Sequence, residues 1–204
     1  MSVPAAVTQE TQAIRPSRKF EGHARWVTGI IHLPGGQQIM TSSYDGSLRV
    51  WDLQSGKQIG NDWRDGGGTV YAIGLSPDGK KVASGCDDGA VRLWDVDKGK
   101  VIAKWVGHTN AVYHVCWSRD GGRVVSGSDD GTARVWDVES GKTVLAIETG
   151  FNTVRAVIYS PDTTMIATGG YTSEGEYLKI WDAKTGTLVA NLKEHHQEIG
   201  ELLV

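Results

Sequence analysis

Three short motifs in the sequence contain the residue types that bind metal ions or phosphate groups. The run from Asp95 to Gly99 resembles the start of a calcium loop, but its glycine comes one position early and Val106 stands where the loop needs a glutamate. The glycine triplet 66–68 lacks the Gly-Lys-Ser/Thr of a phosphate loop. His195 and His196 lack the i, i+4 spacing of a helical zinc pair. These spacings favour turns and connections, so we expect no metal and no cofactor.

Composition and charge argue against several classes of protein. The 204-residue chain has a net charge of −3 and no dense Lys/Arg patch, so we expect no nucleic-acid partner. No apolar run approaches the ~20 residues that span a bilayer, and Met1–Ile14 does not resemble a signal peptide, so we expect no membrane association. Cys86 and Cys116 lie in apolar, strand-like segments and are interpreted as small buried hydrophobes. We expect an intracellular location, cytoplasmic in the first place, with the nucleus left open.

The elements that must position any site come from an internal repeat, whose period decides the architecture. A Trp-Asp dipeptide recurs every 42 to 45 residues, and a glycine follows four residues after each Asp, where a tight turn needs a left-handed residue. The four tryptophans are Trp51, Trp94, Trp136 and Trp181, and the four glycines are Gly56, Gly99, Gly141 and Gly186.

Each repeat predicts four strands. The segments VTGIIHL, VYAIGLS, VYHVCWS and VRAVIYS align without gaps and are apolar on both faces, which is typical of strands buried on two sides. Turn residues follow, then a second strand such as KVASGC, a third such as VRLWD and a fourth after the Trp-Asp turn. The sequence therefore predicts an all-β protein of four units, and no helix is needed.

This pattern resembles the WD-repeat β-propeller family, with Gly-His near the start of a repeat and Trp-Asp near its end. The resemblance covers roughly residues 15–204, with repeats at about 20–61, 62–105, 106–148 and 149–193 and a partial fifth at 194–204. Residues 1–14 are expected to be a disordered segment. The resemblance implies four antiparallel four-stranded blades, with the first strand of each innermost. It also implies that the run from Arg15 to Phe20 is an outer strand clasping another blade.

The resemblance also implies a buried hydrogen-bonded network in each repeat, made by a His, a Ser or Thr, an Asp and the Trp. The first and third repeats have all four members: His23, Thr41, Asp45 and Trp51, and His108, Ser126, Asp130 and Trp136. The second repeat keeps Ser84, Asp88 and Trp94, and the fourth keeps Thr168 and Trp181. We therefore expect the second and fourth blades to be looser, with Glu174 as a candidate substitute for the missing Asp. The second Asp of each Asp-Asp-Gly sequence belongs to this network, and the first should face solvent.

A candidate partner surface follows from the family positions that flank the first strand and precede the turn Asp. Five of them are Trp or Tyr, which are enriched in interface hot spots. The set consists of Trp26, Thr28, Tyr44, Thr69, Tyr71, Asp87, Tyr113, Asp129, Arg155 and Tyr171. The competing interpretation is that these aromatics only pack between blades. His32 is expected to fill the core, and His114, which aligns with small residues, is a weaker candidate for a ligand facing the channel.

Once the repeat positions are assigned, no Ser/His/Asp triad and no carboxylate pair remain. The sequence thus predicts no catalytic residue and favours a non-catalytic scaffold that binds a protein or peptide. The alternatives are a sensor or substrate-recruiting part of a larger intracellular complex, such as a STAND-type NTPase or a ubiquitin-ligase adaptor, or a truncated gene product. A propeller enzyme is the least favoured.

Four repeats are fewer than the seven blades with which such propellers most often close. We therefore expect an open arc that leaves unpaired edges and an apolar blade face, with possible self-association through these edges.

Overall fold

A computed structural model describes residues 18–173 and 175–192, and in this part of the chain all regular structure is β. The strands form four sheets of four. Sheet 1 contains β1 (Val27–His32), β2 (Gln38–Ser43), β3 (Leu48–Asp52) and β4 (Gln58–Trp63). Sheet 2 contains β5 (Val70–Leu75), β6 (Lys81–Cys86), β7 (Ala90–Asp95) and β8 (Lys100–Val106). Sheet 3 contains β9 (Val112–Trp117), β10 (Arg123–Ser128), β11 (Thr132–Asp137) and β12 (Thr143–Glu148). Sheet 4 contains β13 (Thr153–Tyr159), β14 (Met165–Thr172), β15 (Gly175–Asp182) and β16 (Leu188–Leu192).

Every sheet is an antiparallel meander whose strands pair in chain order. The register is the same in all four, because each Trp of a Trp-Asp dipeptide lies opposite an apolar residue of the second strand. These pairs are Trp51 with Ile39, Trp94 with Val82, Trp136 with Val124 and Trp181 with Ile166. The turn glycines also behave alike: Gly56 has a φ of 72° and its amide donates to the Asp52 carbonyl at 2.8 Å. The prediction of four four-stranded units is confirmed.

Three apolar clusters hold the sheets together, one at each junction between successive sheets. At the first two junctions a tryptophan of the outer strand stacks on the Trp-Asp tryptophan of the next sheet. The ring centroids of Trp63 and Trp94 lie 6.3 Å apart, and those of Trp105 and Trp136 lie 6.0 Å apart. At the third junction Ile147 belongs to the same cluster as Trp181. The same position of the outer strand thus packs against the next sheet at all three junctions.

Within the described residues the four sheets form an open arc and do not close into a ring. The face of sheet 1 that no sheet precedes is exposed: Val27 is 48% exposed and Ile30 is 64% exposed. The residues that align with Val27, namely Val70, Val112 and Val154, are 2%, 0% and 0% exposed. The expectation of an open arc is therefore confirmed.

Two expectations about this end of the arc are wrong. His32 is exposed and does not fill a core, because it lies on the uncovered face of β1. Residues 18–20, the described part of the predicted outer strand, have no strand pairing, although Phe20 packs edge-on against Trp51 at 6.0 Å. Residues 1–14, the partial fifth repeat at 194–204 and Glu174 lie outside the described residues. No helix in the described part of the chain is long and apolar enough to cross a membrane.

Candidate functional site

The polar network of sheets 1 and 3 joins all four residue types named from the sequence. In sheet 3, His108 contacts Asp130 Oδ2 through Nδ1 at 2.9 Å and Ser126 Oγ through Nε2 at 2.7 Å. The Trp136 indole N–H donates to the same Ser126 hydroxyl at 2.8 Å. Sheet 1 repeats this chain with His23, Thr41, Asp45 and Trp51 at 2.9, 2.7 and 2.8 Å. In each sheet the network links the loop before the first strand, which carries the histidine, to the third strand, which carries the tryptophan.

The aspartates of these two networks are held in their charged form. Burial favours protonation of Asp130, but the hydrogen bonds from His108 and Thr132 outweigh it and lower the pKa of the carboxyl. Burial acts in the same way on Asp45, and the hydrogen bonds from Ser47, the Ala24 amide and His23 lower its pKa. Both carboxylates are therefore structural anions that accept several hydrogen bonds, and they do not act as proton donors.

Sheet 2 lacks the histidine, and Arg92 takes its place as the partner of the aspartate. Arg92 is 1% exposed, and its Nη1 and Nη2 donate to the two oxygens of Asp88 at 2.8 and 2.7 Å. Its Nε donates to Asp65, and Lys104 Nζ lies 2.9 Å from Asp88. A Cβ on Gly67 would collide with the guanidinium. The Trp94 indole still donates to Ser84 at 2.9 Å, as the sequence analysis predicts for the remaining members.

Sheet 4 also fills the gap with a cation. Lys179 donates to the Thr149 carbonyl, and its amine lies 4.6 Å from the centroid of the Phe151 ring. Trp181 donates to Thr168 at 2.8 Å. That sheets 2 and 4 are looser than sheets 1 and 3 stays a prediction. In both sheets a basic side chain, Arg92 or Lys179, makes polar contacts where the histidine is missing.

The repeat motifs do not single out Arg92 and Lys179, although the sequence contains a signal for them. A basic residue stands two positions before the tryptophan of every repeat: Arg49, Arg92, Arg134 and Lys179. Arg49 pairs with Asp62 at 2.9 Å in sheet 1. The pattern alone does not say which acid each one meets, because the acids are not at a constant spacing.

The aromatic residues of the predicted partner surface form one continuous ladder across the four sheets. Successive ring centroids lie 5.7, 5.4 and 4.8 Å apart, and the ladder ends in a guanidinium 4.2 Å from the last ring of this series. Its members in order are Trp26, Tyr44, Tyr71, Tyr113 and Arg155, with Tyr171 5.8 Å beyond the guanidinium. Tyr71 and Tyr113 occupy the same position of successive inner strands, so the repeat itself generates the ladder.

The ladder is partly open to solvent. Trp26 is 77% exposed, whereas the network tryptophans Trp51, Trp94 and Trp136 are 1–2% exposed. Tyr71 and Tyr113 are half-buried, and Arg155 is exposed. The interpretation that these rings only pack between blades therefore accounts for the middle of the ladder and leaves its Trp26 end unexplained.

Two aspartates accompany the ladder. Asp87 is exposed and accepts a hydrogen bond from the Tyr71 hydroxyl at 2.9 Å. Burial and this bond raise the pKa of the Tyr71 phenol, so it stays a donor. Asp129 accepts from Asn110 at 3.0 Å and from Thr153 at 2.7 Å, so it is partly enclosed rather than facing solvent as expected.

The two threonines of the predicted surface lie deeper. Thr28 donates to the Val70 carbonyl at 2.6 Å, and Thr69 donates to the Tyr44 carbonyl at 3.4 Å. Both are partly buried and bond across the junction between sheets 1 and 2, which argues for a structural role in holding the ladder. Tyr171 accepts from Thr153 at 3.1 Å, and this bond lowers the pKa of its phenol.

Among residues 18–173 and 175–192, no group of three or more His, Cys, Asp or Glu side chains is placed to hold a metal ion. Cys86 is buried and Cys116 half-buried, and both are free thiols whose pKa is raised by burial.

Comparison with known families gives one match that repeats along the chain. A family model described as WD domain, G-beta repeat matches residues 14–52, 61–95, 99–137 and 142–182. Together these segments cover well over half of the sequence, and each one ends at the Asp of a Trp-Asp dipeptide.

Proposed function

The chain belongs to the WD domain, G-beta repeat family, and we propose that it is a non-catalytic scaffold that binds a protein or peptide partner. WD-repeat domains generally mediate protein–protein interactions and are typically non-enzymatic. We place the binding surface on the ladder from Trp26 to Arg155, which crosses all four sheets.

The observation that carries the proposal is the ladder from Trp26 to Arg155, because it combines rigidity with exposure. Tyr71 and Tyr113 stand on inner strands that are packed between sheets, so little conformational entropy is lost at these rings when a partner binds. Large aromatic side chains and arginine are also the residues that dominate interface energies. An exposed Trp at one end and an exposed Arg at the other give the surface two separate anchors.

Affinity capture with matched variants tests the proposal. Trp26→Ala and Arg155→Ala remove the two exposed anchors without opening a core. Val106→Ala is the control, because Val106 is 74% exposed on the outer strand of sheet 2, away from the ladder. We expect the wild type and the control to retain the same binding partners from a native extract and the ladder variants to lose at least one of them.

The melting temperatures of the captured variants are measured alongside. Retention of every partner by both ladder variants, with unchanged melting temperatures, contradicts the proposal.

Self-association is a second proposal, and it depends on a different surface. The exposed face of sheet 1 forms a groove lined by Phe20, Val27, Ile30 and Ile39. At the other end of the arc Leu192 is 47% exposed, whereas its counterparts Trp105 and Ile147 are 3% exposed. Each face is one half of the junction that the chain makes three times internally, so the last sheet of one copy suits the first sheet of another. Light scattering of the purified chain tests this, and a monomer at micromolar concentrations argues against it.

The cytoplasmic location is also a proposal. The free thiols of Cys86 and Cys116 are compatible with a reducing compartment. Cell fractionation tests it, and recovery in an oxidising compartment contradicts it.

A further inference from the structure

One half of the aromatic ladder is occupied by a cation of the chain itself. The Arg155 guanidinium carbon lies 4.2 Å from the Tyr113 ring centroid and 5.8 Å from that of Tyr171, both within the range of a cation–π contact. Among the described residues, Arg155 makes no ion pair with a carboxylate. The faces of the Tyr113 and Tyr171 rings and the Tyr171 hydroxyl are therefore the partners of this cation.

The other half of the ladder has rings and a carboxylate without a cation. Trp26 is 77% exposed, and its ring packs against that of Tyr44, which contacts the Tyr71 ring edge-on. The Tyr71 hydroxyl binds only Oδ1 of Asp87, and Asp87 is exposed and forms no salt bridge with a described residue. The exposed Asp87 carboxylate thus lies beside the Tyr71 hydroxyl, in the half of the ladder whose end ring, Trp26, is open to solvent.

From this asymmetry we infer that the open half of the ladder binds an arginine side chain of the partner. This inference rests on the proposed function and specifies the chemistry of its partner. A guanidinium stacks on an aromatic face and can also hydrogen-bond a carboxylate through its fork of N–H groups, which an ammonium group does less well. Arg155 over Tyr113 shows the stacking part of this geometry within the chain.

Charge supports a cation over an anion or a neutral group. The repeat places tyrosine at the Tyr71 and Tyr113 positions and an aspartate next to each turn, at Asp87 and Asp129. Exposed indole and phenol faces are negative, so the rings and the carboxylate attract the same ligand.

The test is a titration of the ¹⁵N-labelled full chain with two end-blocked pentapeptides, Gly-Gly-Arg-Gly-Gly and the same sequence with citrulline in place of Arg. Citrulline has the shape of arginine without its charge. The chain has eight tryptophans, and Trp26→Ala identifies the indole N–H signal of Trp26. We expect the Arg peptide to shift this signal and to bind at least about tenfold tighter than the citrulline peptide.

Variants separate the proposed contacts from non-specific attraction. Trp26→Ala and Asp87→Asn should each weaken the Arg peptide about fivefold or more. Trp26→Phe should retain most of the binding, and Val106→Ala all of it. Equal binding of the two peptides, the absence of saturable binding, or binding unaffected by Trp26→Ala would overturn the inference.

The outcomes distinguish this inference from the proposed function. If partner capture depends on Trp26 but the peptides are not discriminated, the scaffold proposal stands and the arginine specificity is wrong. If capture depends on neither Trp26 nor Arg155, the proposed function itself is wrong.

Discussion

The Asp130 carboxylate closes the polar network of sheet 3, and its removal tests how much that network stabilises the fold. It accepts hydrogen bonds from His108 Nδ1 at 2.9 Å and from the Thr132 amide and hydroxyl at 2.9 and 2.7 Å. It also accepts from the Thr109 amide at 3.0 Å. In Asp130→Ala the His108 imidazole and the Thr132 amide lose this acceptor at once, and the Thr132 hydroxyl keeps only its 3.1 Å contact with His108 Nδ1.

The magnitude follows from which donors are buried. Thr109 is exposed, so water replaces its lost bond, but His108 and Thr132 are 5% and 6% exposed and stay dry. An unsatisfied buried donor costs about 1–3 kcal/mol, so two such residues predict a loss of about 4 kcal/mol in the free energy of unfolding. A typical domain has only about 5–15 kcal/mol in total.

Chemical denaturation with a matched control measures this loss. Asp97→Ala is the control, because Asp97 is exposed and lies in a turn outside the networks, and exposed substitutions of this kind change stability by less than about 0.5 kcal/mol. We expect a clearly lower denaturation midpoint for Asp130→Ala than for Asp97→Ala. Equal midpoints for the two variants would refute the assignment of Asp130 to a stabilising network.

Four further substitutions test other contacts and surfaces of the structure. Gly67→Ala should destabilise the fold by about 1–3 kcal/mol, because its Cβ collides with the Arg92 guanidinium. Arg92→Gln should destabilise it by about 2 kcal/mol or more, because Asp65 and Asp88 lose the guanidinium as a charged partner. Thermal melts with Asp97→Ala as the control check both, and unchanged melting temperatures contradict them. Because the pKa of Asp130 in the folded chain lies below the ordinary 3.8, the stabilisation by its carboxylate is complete above that pH and is lost as the pH falls further. Asp130→Asn should therefore reduce the loss of stability in acid. Parallel curves of stability against pH for the variant and the wild type would contradict this prediction. Ile30→Asp, on the 64% exposed position of the open face, should abolish any dimer seen by light scattering without lowering the melting temperature; a persistent dimer places the contact elsewhere.

The repeat made most of the fold predictable. The strands, their order and the tight turns follow from apolar segments and glycines at constant spacing, and the structure gives the same register to Trp51, Trp94, Trp136 and Trp181. The His–Ser/Thr–Asp–Trp network was accessible for the same reason, since each member has a fixed offset from the tryptophan. The ladder residues could be named, but their mutual ring contacts depend on how neighbouring sheets are placed.

The failure at His32 has a physical cause, which is that burial depends on the neighbouring sheet and not on the repeat. His32 aligns with Trp117 and Tyr159, which are 8% and 7% exposed, but it is itself exposed because no sheet covers its face. Strand periodicity reports which face a side chain lies on, and it is silent about whether that face is covered.

Sheet 2 shows how the fold keeps an anchored aspartate without a histidine. Asp88 aligns with Asp45 and Asp130, but its partner Arg92 reaches it from the third strand rather than from the loop before the first strand. The exchange has a steric condition, since the loop must give up a side chain where the guanidinium lies, and Gly67 meets it. It also changes the chemistry of the link, because an arginine stays charged at every accessible pH. With the Asp88 side chain 32% exposed, this ion pair should weaken in salt, whereas the enclosed Asp130 contact should not. We therefore expect two networks at equivalent positions of one chain to respond differently to ionic strength.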